Sequence, residues 1–200
     1  MGKITHTQVS SLAHRDPPAE TFDRLEVTSE LKRKYLRILN IGVGEGYCTH
    51  YLSGQGHTVD VLDISETALK KVEQITSNQF ANPNLLPKNE YDLALSHLVA
   101  QHMNNEDLTT QISLVLQSLK ADGILALQYV GHITDNKYSS QPVTEEMMKK
   151  GTVIRSAELM KNIVNQANGQ IKQTYLKEQY AQHSFQYYVV HIAPQFSPIV

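Results

Sequence analysis

"RILNIGVGEGYCTHYL", residues 37–52, sets three glycines at alternate positions directly behind a short apolar run. Glycine weakens strands and helices alike, so such a cluster marks backbone that must turn sharply or approach something closely. "RILNI" (37–41) reads as a buried strand and "GYCTHYLSGQG" (46–56) as a helix closed by glycine. The glycines therefore lie at the carboxyl end of a first strand, where open parallel sheets bind their ligands.

Working outward, "HTVDVLDI" (57–64) reads as a second strand, and Ser65 as the cap of a helix "ETALKKVEQIT" (66–76). Between 76 and 90 the pattern fades, leaving a strand stub at Gln79 to Ala81. "YDLALSHL" (91–98) is the next strand, and "EDLTTQISLVLQSLKADG" is an amphipathic helix expected to end at Gly123. "ILALQYV" (124–130) follows as a strand, then a connection over 131–153 with few apolar anchors, a length typical of lids and binding loops. "SAELMKNIVNQANG" predicts a helix with Ser156 as cap and Gly169 as stop. "QIKQTYLKEQY" and "SFQYYVVHIA" close the chain as two strands with a short polar connection. Upstream, residues 1–19 are irregular and end in "DPP", and residues 20–35 carry Phe22, Leu25, Leu31 and Tyr35 at loosely helical spacing.

Strands alternating with helices predict an α/β fold, a doubly wound and mostly parallel sheet of seven strands with helices on both faces. The last strand is expected to run antiparallel, because a connection this short allows only that pairing. At 200 residues the chain reads as a single domain. Residues 1–35 form an N-terminal segment and helix, with His14 and Arg15 able to fold over a pocket, and 36–200 form the body.

Charge is near balance, 18 basic against 20 acidic residues, and "LKRKYLR" (31–37) is the longest basic stretch. No nucleic-acid partner is expected from so small a basic stripe. The N-terminus lacks a signal-type apolar core, and no apolar stretch approaches the roughly 20 residues that span a bilayer. With one cysteine, the reading is a cytoplasmic protein with no membrane partner. Oligomeric state is not legible.

The glycines Gly42, Gly44 and Gly46 follow G-x-G-x-G, and Tyr47 breaks the G-x-G-x-x-G spacing that a dinucleotide pyrophosphate wants. A P-loop fails too, since no Gly-Lys-Ser/Thr follows. Asp63 ends the second strand about 20 residues past the first glycine, where a carboxylate can accept both hydroxyls of a ribose. The pair points to a nucleoside without a pyrophosphate. Each also has a plain structural use, as a tight turn and as a charge flanking a helix.

"ILNIGVGEG", "VDVLDIS", "YDLALSHLVAQHM" and "LKADGILAL" occur in the order and spacing of the class I S-adenosylmethionine-dependent methyltransferases, which the chain resembles over about 36–193. Within that superfamily it looks like the small-molecule enzymes acting on quinone precursors and glycan sugars. The resemblance implies a Rossmann-like sheet and S-adenosyl-L-methionine as cofactor, with S-adenosyl-L-homocysteine as product. It implies that Gly42, Gly44 and Gly46 run beneath the methionine part, Asp63 takes the ribose and Ile64 lies against adenine. Asn82, with Asn84 nearby, stands where relatives often carry an aspartate toward the adenine amine. Ser96, His97 and Leu98 would flank the methionine and sulfonium. Asn40 replaces the family's usual acid at the start of the glycine motif, so a charged contact to the cofactor becomes a neutral one.

Methyl transfer from a sulfonium is a direct displacement, so the protein mainly aligns the reacting atoms. A hydroxyl nucleophile also gains from a base, and His97 and His102 are the candidates, His102 matching a histidine common in the quinone-precursor branch. Either histidine could equally be structural. No metal site is expected: their i, i+5 spacing does not share a helix face, no ligand cluster completes a set, and Leu98 stands where that branch often has a glutamate. Cys48 is assigned no chemistry.

The expected function is methyl transfer to an oxygen, less readily a nitrogen, of a small metabolite or sugar. A nicotinamide-dependent reductase on the same fold is the first alternative, opposed by Tyr47 and by the lack of a Tyr-x-x-x-Lys pair. A non-catalytic S-adenosylmethionine-binding relative is the second, prompted by Asn40.

Overall fold

A computed structural model describes residues 18–33, 35–132, 151–179 and 185–195. The strands are β1 (Arg37–Ile41), β2 (Thr58–Leu62), β3 (Gln79–Phe80), β4 (Tyr91–Ser96), β5 (Leu119–His132), β6 (Gly169–Gln179) and β7 (Phe185–Pro194). They form one seven-stranded sheet in the order β3-β2-β1-β4-β5-β7-β6. β1 to β5 pair in parallel, and β7 runs antiparallel to both β5 and β6. The order reverses between β1 and β4, so the switch point falls at the end of "RILNI".

Strand alternation divides the core. Leu39 and Ile41 of β1, Ala94 of β4 and Leu125 and Leu127 of β5 pack with helices α5 (Asn105–Ser118) and α6 (Ala157–Gln166). Ile38, Val61, Leu93, Leu95 and Ala126 pack on the other face with α1 (Pro18–Arg24), through Phe22, and with α4 (Glu66–Lys70), through Ala68 and Leu69. Leu52 of α3 (Tyr47–Gly54) joins them. Short α2 (Thr28–Leu31) follows α1, and 3-10 turns occupy Pro83–Leu85 and Ala100–His102. Phe22, Leu25 and Val27 thus belong to that core, while His14 and Arg15 lie outside the described residues.

Toward the strand starts, Asp60 is fully buried. Its Oδ2 accepts from Arg37 Nη2 at 2.9 Å and from the Tyr91 hydroxyl at 2.9 Å, and its Oδ1 accepts from Asn78 Nδ2 at 3.1 Å. Burial, and then the neighbouring carboxylate, push the Tyr91 phenol well above its ordinary range.

Several expectations need correction. The helix expected to reach Gly123 stops at Ser118, whose hydroxyl donates back to the Val115 carbonyl at 2.6 Å, and Leu119 already pairs with Tyr91. Gly123 is bare for another reason: a Cβ there would sit 2.8 Å from the Tyr91 carbonyl oxygen. The helix expected over 66–76 is regular only to Lys70; the Leu69 carbonyl accepts from Val72 N–H at 3.1 Å and from Gln79 Nε2 at 2.8 Å. Ser156 caps α6 as expected, accepting from Leu159 N–H at 3.1 Å. Its stop, however, is Asn168 at φ 58°, while Gly169 leaves room for Leu116, Val164 and Ile192. Tyr35 is 83% exposed and outside any core. Residues 133–150 of the long connection lie outside the described residues.

Candidate cofactor and active site

The three glycines all take left-handed φ: 77° at Gly42, 56° at Gly44 and 87° at Gly46. Their bare faces do different work. A Cβ at Gly42 would overlap the Val99 Cγ2 methyl, and one at Gly46 would lie 2.7 Å from Val72 Cγ1. At Gly44 nothing lies within 4 Å of that position. Two glycines are therefore required by the protein's own packing, and the middle one opens a cradle. The loop is anchored by Gly42 N–H donating to Leu62 O at the end of β2, 2.9 Å, and Gly46 N–H to Val43 O, 2.9 Å.

Asp63 stands one residue past β2, half-buried against this loop. Its Oδ2 accepts from Val43 N–H at 2.7 Å and its Oδ1 from Ser65 N–H at 2.8 Å. A carboxylate oxygen carries two lone pairs, so each retains one for a further donor. The loop thus aims the acid as well as lining the crevice. Beside it Ile64 is 90% exposed, and Leu85, just past β3, is 66% exposed. Such faces are what an adenine ring could cover.

The other expected residues fall into place unevenly. Asn40 is buried and donates through Nδ2 to Thr49 Oγ1 at 2.9 Å, tying the end of β1 to α3. Asn82 is exposed, and its Oδ1 accepts from the backbone N–H and the side-chain amide of Asn84, both at 2.9 Å, capping the 3-10 turn. Ser96 is buried at the end of β4 on the α5 face, beside Ile41, Leu108 and Leu127. His97 and Leu98 follow it half-buried, and His102 is exposed at the end of the Ala100–His102 turn. The next helix is capped by Asn104, whose Oδ1 accepts from Asp107 N–H at 2.7 Å, so His102 is not its cap.

Two side chains absent from the sequence reading hold the segment that carries these residues. Gln128 of β5 accepts from Leu98 N–H at 3.1 Å. Arg155, fully buried, donates to the Ala100 carbonyl at 2.8 Å, the Met103 carbonyl at 2.5 Å and Asn105 Oδ1 at 3.0 Å. Burial pulls its guanidinium down to about 10. Spacing alone gave no signal for either, since both act through neighbours set by the fold. Burial raises the Cys48 thiol, which disfavours its thiolate form.

Among the described residues no three His, Cys, Asp or Glu side chains gather as a metal site, and no helix is long and apolar enough to cross a membrane. A cavity of about 440 Å³ between α1, α2 and α3 is bordered by Phe22, Leu31, Tyr51 and His57. It lies at the strand starts, away from the glycine crevice.

Residues 39–127 match the family described as a methyltransferase domain. Over 130 residues the chain is 29% identical to malonyl-(acyl-carrier protein) O-methyltransferase of Acetivibrio thermocellus, covering 56% of this chain and 41% of that one. The chain thus spans well under half the length of that curated relative. In fold it is similar to the cyclase SpnF, with a TM-score of 0.69 at 15% identity over 90% of this chain and 82% of that one. It is likewise similar to the Burkholderia thailandensis 1,6-didemethyltoxoflavin-N1-methyltransferase with bound S-adenosylhomocysteine: TM-score 0.65, 14% identity, 90% and 80% of the two chains. The bare cradle at Gly44 and the aimed carboxylate of Asp63 fit S-adenosyl-L-methionine. With residues 39–127 matching a methyltransferase domain, the chain is similar over part of its length to that family and similar in fold to solved methyltransferases.

Proposed function

We propose that this protein transfers the methyl group of S-adenosyl-L-methionine to an oxygen, with nitrogen the second choice, of a small metabolite or sugar. The observation that carries this is the Asp63 carboxylate, held by Val43 and Ser65 N–H groups beside the open face of Gly44. In this reading Asp63 accepts from the ribose hydroxyls, Ile64 covers adenine, and Gly42, Gly44 and Gly46 pass beneath the methionine part. Asn82, its carbonyl already engaged in a cap, would meet the adenine side through its amide. Asn40 acts at one remove, fixing α3 through Thr49. Ser96 contributes main chain at the end of β4, with His97 and Leu98 flanking the methionine part. An oxygen acceptor is favoured by the O-methyltransferase relative.

Bound S-adenosylmethionine supplies an activated methyl on a positively charged sulfur. The chain's task is alignment, worth several powers of ten when the reacting atoms are held in line. The acceptor's proton needs a base, and His97 or His102, both just past β4, would take it. Titration calorimetry with S-adenosylmethionine and S-adenosylhomocysteine tests the cofactor, with Asp63→Ala expected to weaken both by roughly 10–100-fold, as for hydrogen bonds to a charged group. No heat from the native protein with either ligand overturns the proposal. Methyl-labelled cofactor incubated with a metabolite extract tests transfer, and histidine variants then separate base from scaffold.

A further inference from the structure

Where β4 ends at Ser96, the chain turns over the switch point through a leucine in a glycine-like conformation. Leu98 has φ 58°, a state that residues bearing a Cβ avoid. Such a residue persists only where its surroundings hold it. The holder is on the next strand. β5 runs beside β4 with Leu127 opposite Ser96, so Gln128 lies level with the exit of β4. Gln128 is 5% exposed and its Oε1 accepts the Leu98 N–H at 3.1 Å.

The turn has a consequence one residue on. Val99 is delivered onto Gly42, its Cγ2 methyl filling the place a Cβ would take. Beyond Val99 the segment is pinned again, by Arg155 on the carbonyls of Ala100 and Met103. Gln128 and Arg155 thus fix the two ends of one short span, and that span covers the first glycine of the crevice.

We propose that Gln128 is a positioning residue for the cofactor: by holding Leu98 left-handed it seats Val99 on Gly42 and so sets the width of the crevice. This rests on the cofactor reading above. The two fail differently: a native protein that does not bind S-adenosylhomocysteine sinks that reading, and a native protein that binds lets this one be judged.

The test is a double-mutant cycle read as S-adenosylhomocysteine affinity by calorimetry, on the native protein, Gln128→Met, Leu98→Gly and the double variant. Gln128→Met is expected to weaken binding about tenfold on the native background, one hydrogen bond's worth. On the Leu98→Gly background the same change should cost less than about threefold, because glycine adopts this φ unaided. No loss on the native background, or an equal loss on both, overturns the proposal. Should Gln128→Met not fold, Leu98→Val and Leu98→Ala with Gln128 intact ask the same question. Valine, the worse left-handed residue, should bind about fivefold more weakly than alanine. Equal affinities overturn it as well.

Discussion

Gly44→Ala separates what the glycine loop does for the ligand from what it does for the protein. Its φ of 56° is left-handed, and an added methyl meets nothing within 4 Å. The folded state pays only the conformational penalty of alanine there, about 1–2 kcal/mol. The stiffer unfolded chain returns about 0.4–1 kcal/mol of that. The net is about 1 kcal/mol, a fall of roughly 2–4 °C in melting temperature for a chain of this size. Binding should suffer more, because the methyl projects into the cradle. Overpacking a fitted site costs about 1–3 kcal/mol, or roughly 5–150-fold in affinity. Gly56 supplies the control: φ 86°, again with nothing within 4 Å, but in the turn before β2 at the far end of the sheet. Gly56→Ala should lose the same stability and bind S-adenosylhomocysteine like the native protein. Differential scanning fluorimetry and calorimetry read the two quantities. Gly44→Ala binding as tightly as Gly56→Ala would refute the placement of the cofactor over this loop.

Asp60→Asn removes the charge shared by Arg37, Tyr91 and Asn78. Breaking a buried pair costs about 3–5 kcal/mol; Arg37 is partly exposed and keeps Glu90 at 2.7 Å, which favours the low end and a fall of roughly 6–12 °C by thermal melting. Burial holds the His57 imidazole below its ordinary pKa, against the opposing bond to the Leu31 carbonyl. The unfolded chain then takes up that proton at a higher pH than the folded one, so stability is full above about pH 6.5 and falls as pH drops through the folded value. Urea midpoints between about pH 7 and 5 should decline more steeply for the native protein than for His57→Gln, and parallel curves would refute this. Gly169→Ala forces a methyl against Leu116, Ile192 and Val164 and should cost about 1–3 kcal/mol in urea unfolding, whereas Asn168→Gly, at φ 58°, should be neutral within about 0.5 kcal/mol. The reverse order would return the helix stop to Gly169.

What the sequence discloses and what it hides divide along one line. β1, the glycine turn and Asp63 are legible because each is a local statement: an apolar run, backbone freed of Cβ, an acid one residue past a strand. The caps at Ser65 and Ser156 are legible for the same reason, a hydroxyl within three residues of the N–H groups it accepts from. Gly123 and Gly169 show where local reading breaks down. Both look like helix stops, yet each is bare because a residue far along the chain occupies the space, the Tyr91 carbonyl in one case and Ile192 in the other. "LKA" (119–121) is made of good helix formers, yet it lies in β5, which starts with Leu119 paired to Tyr91. Asn40 stands where relatives carry an acid, and the motif does not disclose that its amide also donates to Thr49 on α3. Gln128 is the sharpest instance. Nothing in "ILALQYV" distinguishes a glutamine that fills a strand from one that holds the next strand's exit, since that depends on Leu127 standing opposite Ser96. Register is a property of two strands together, so the residues that aim a site stay hidden longer than the residues that line it.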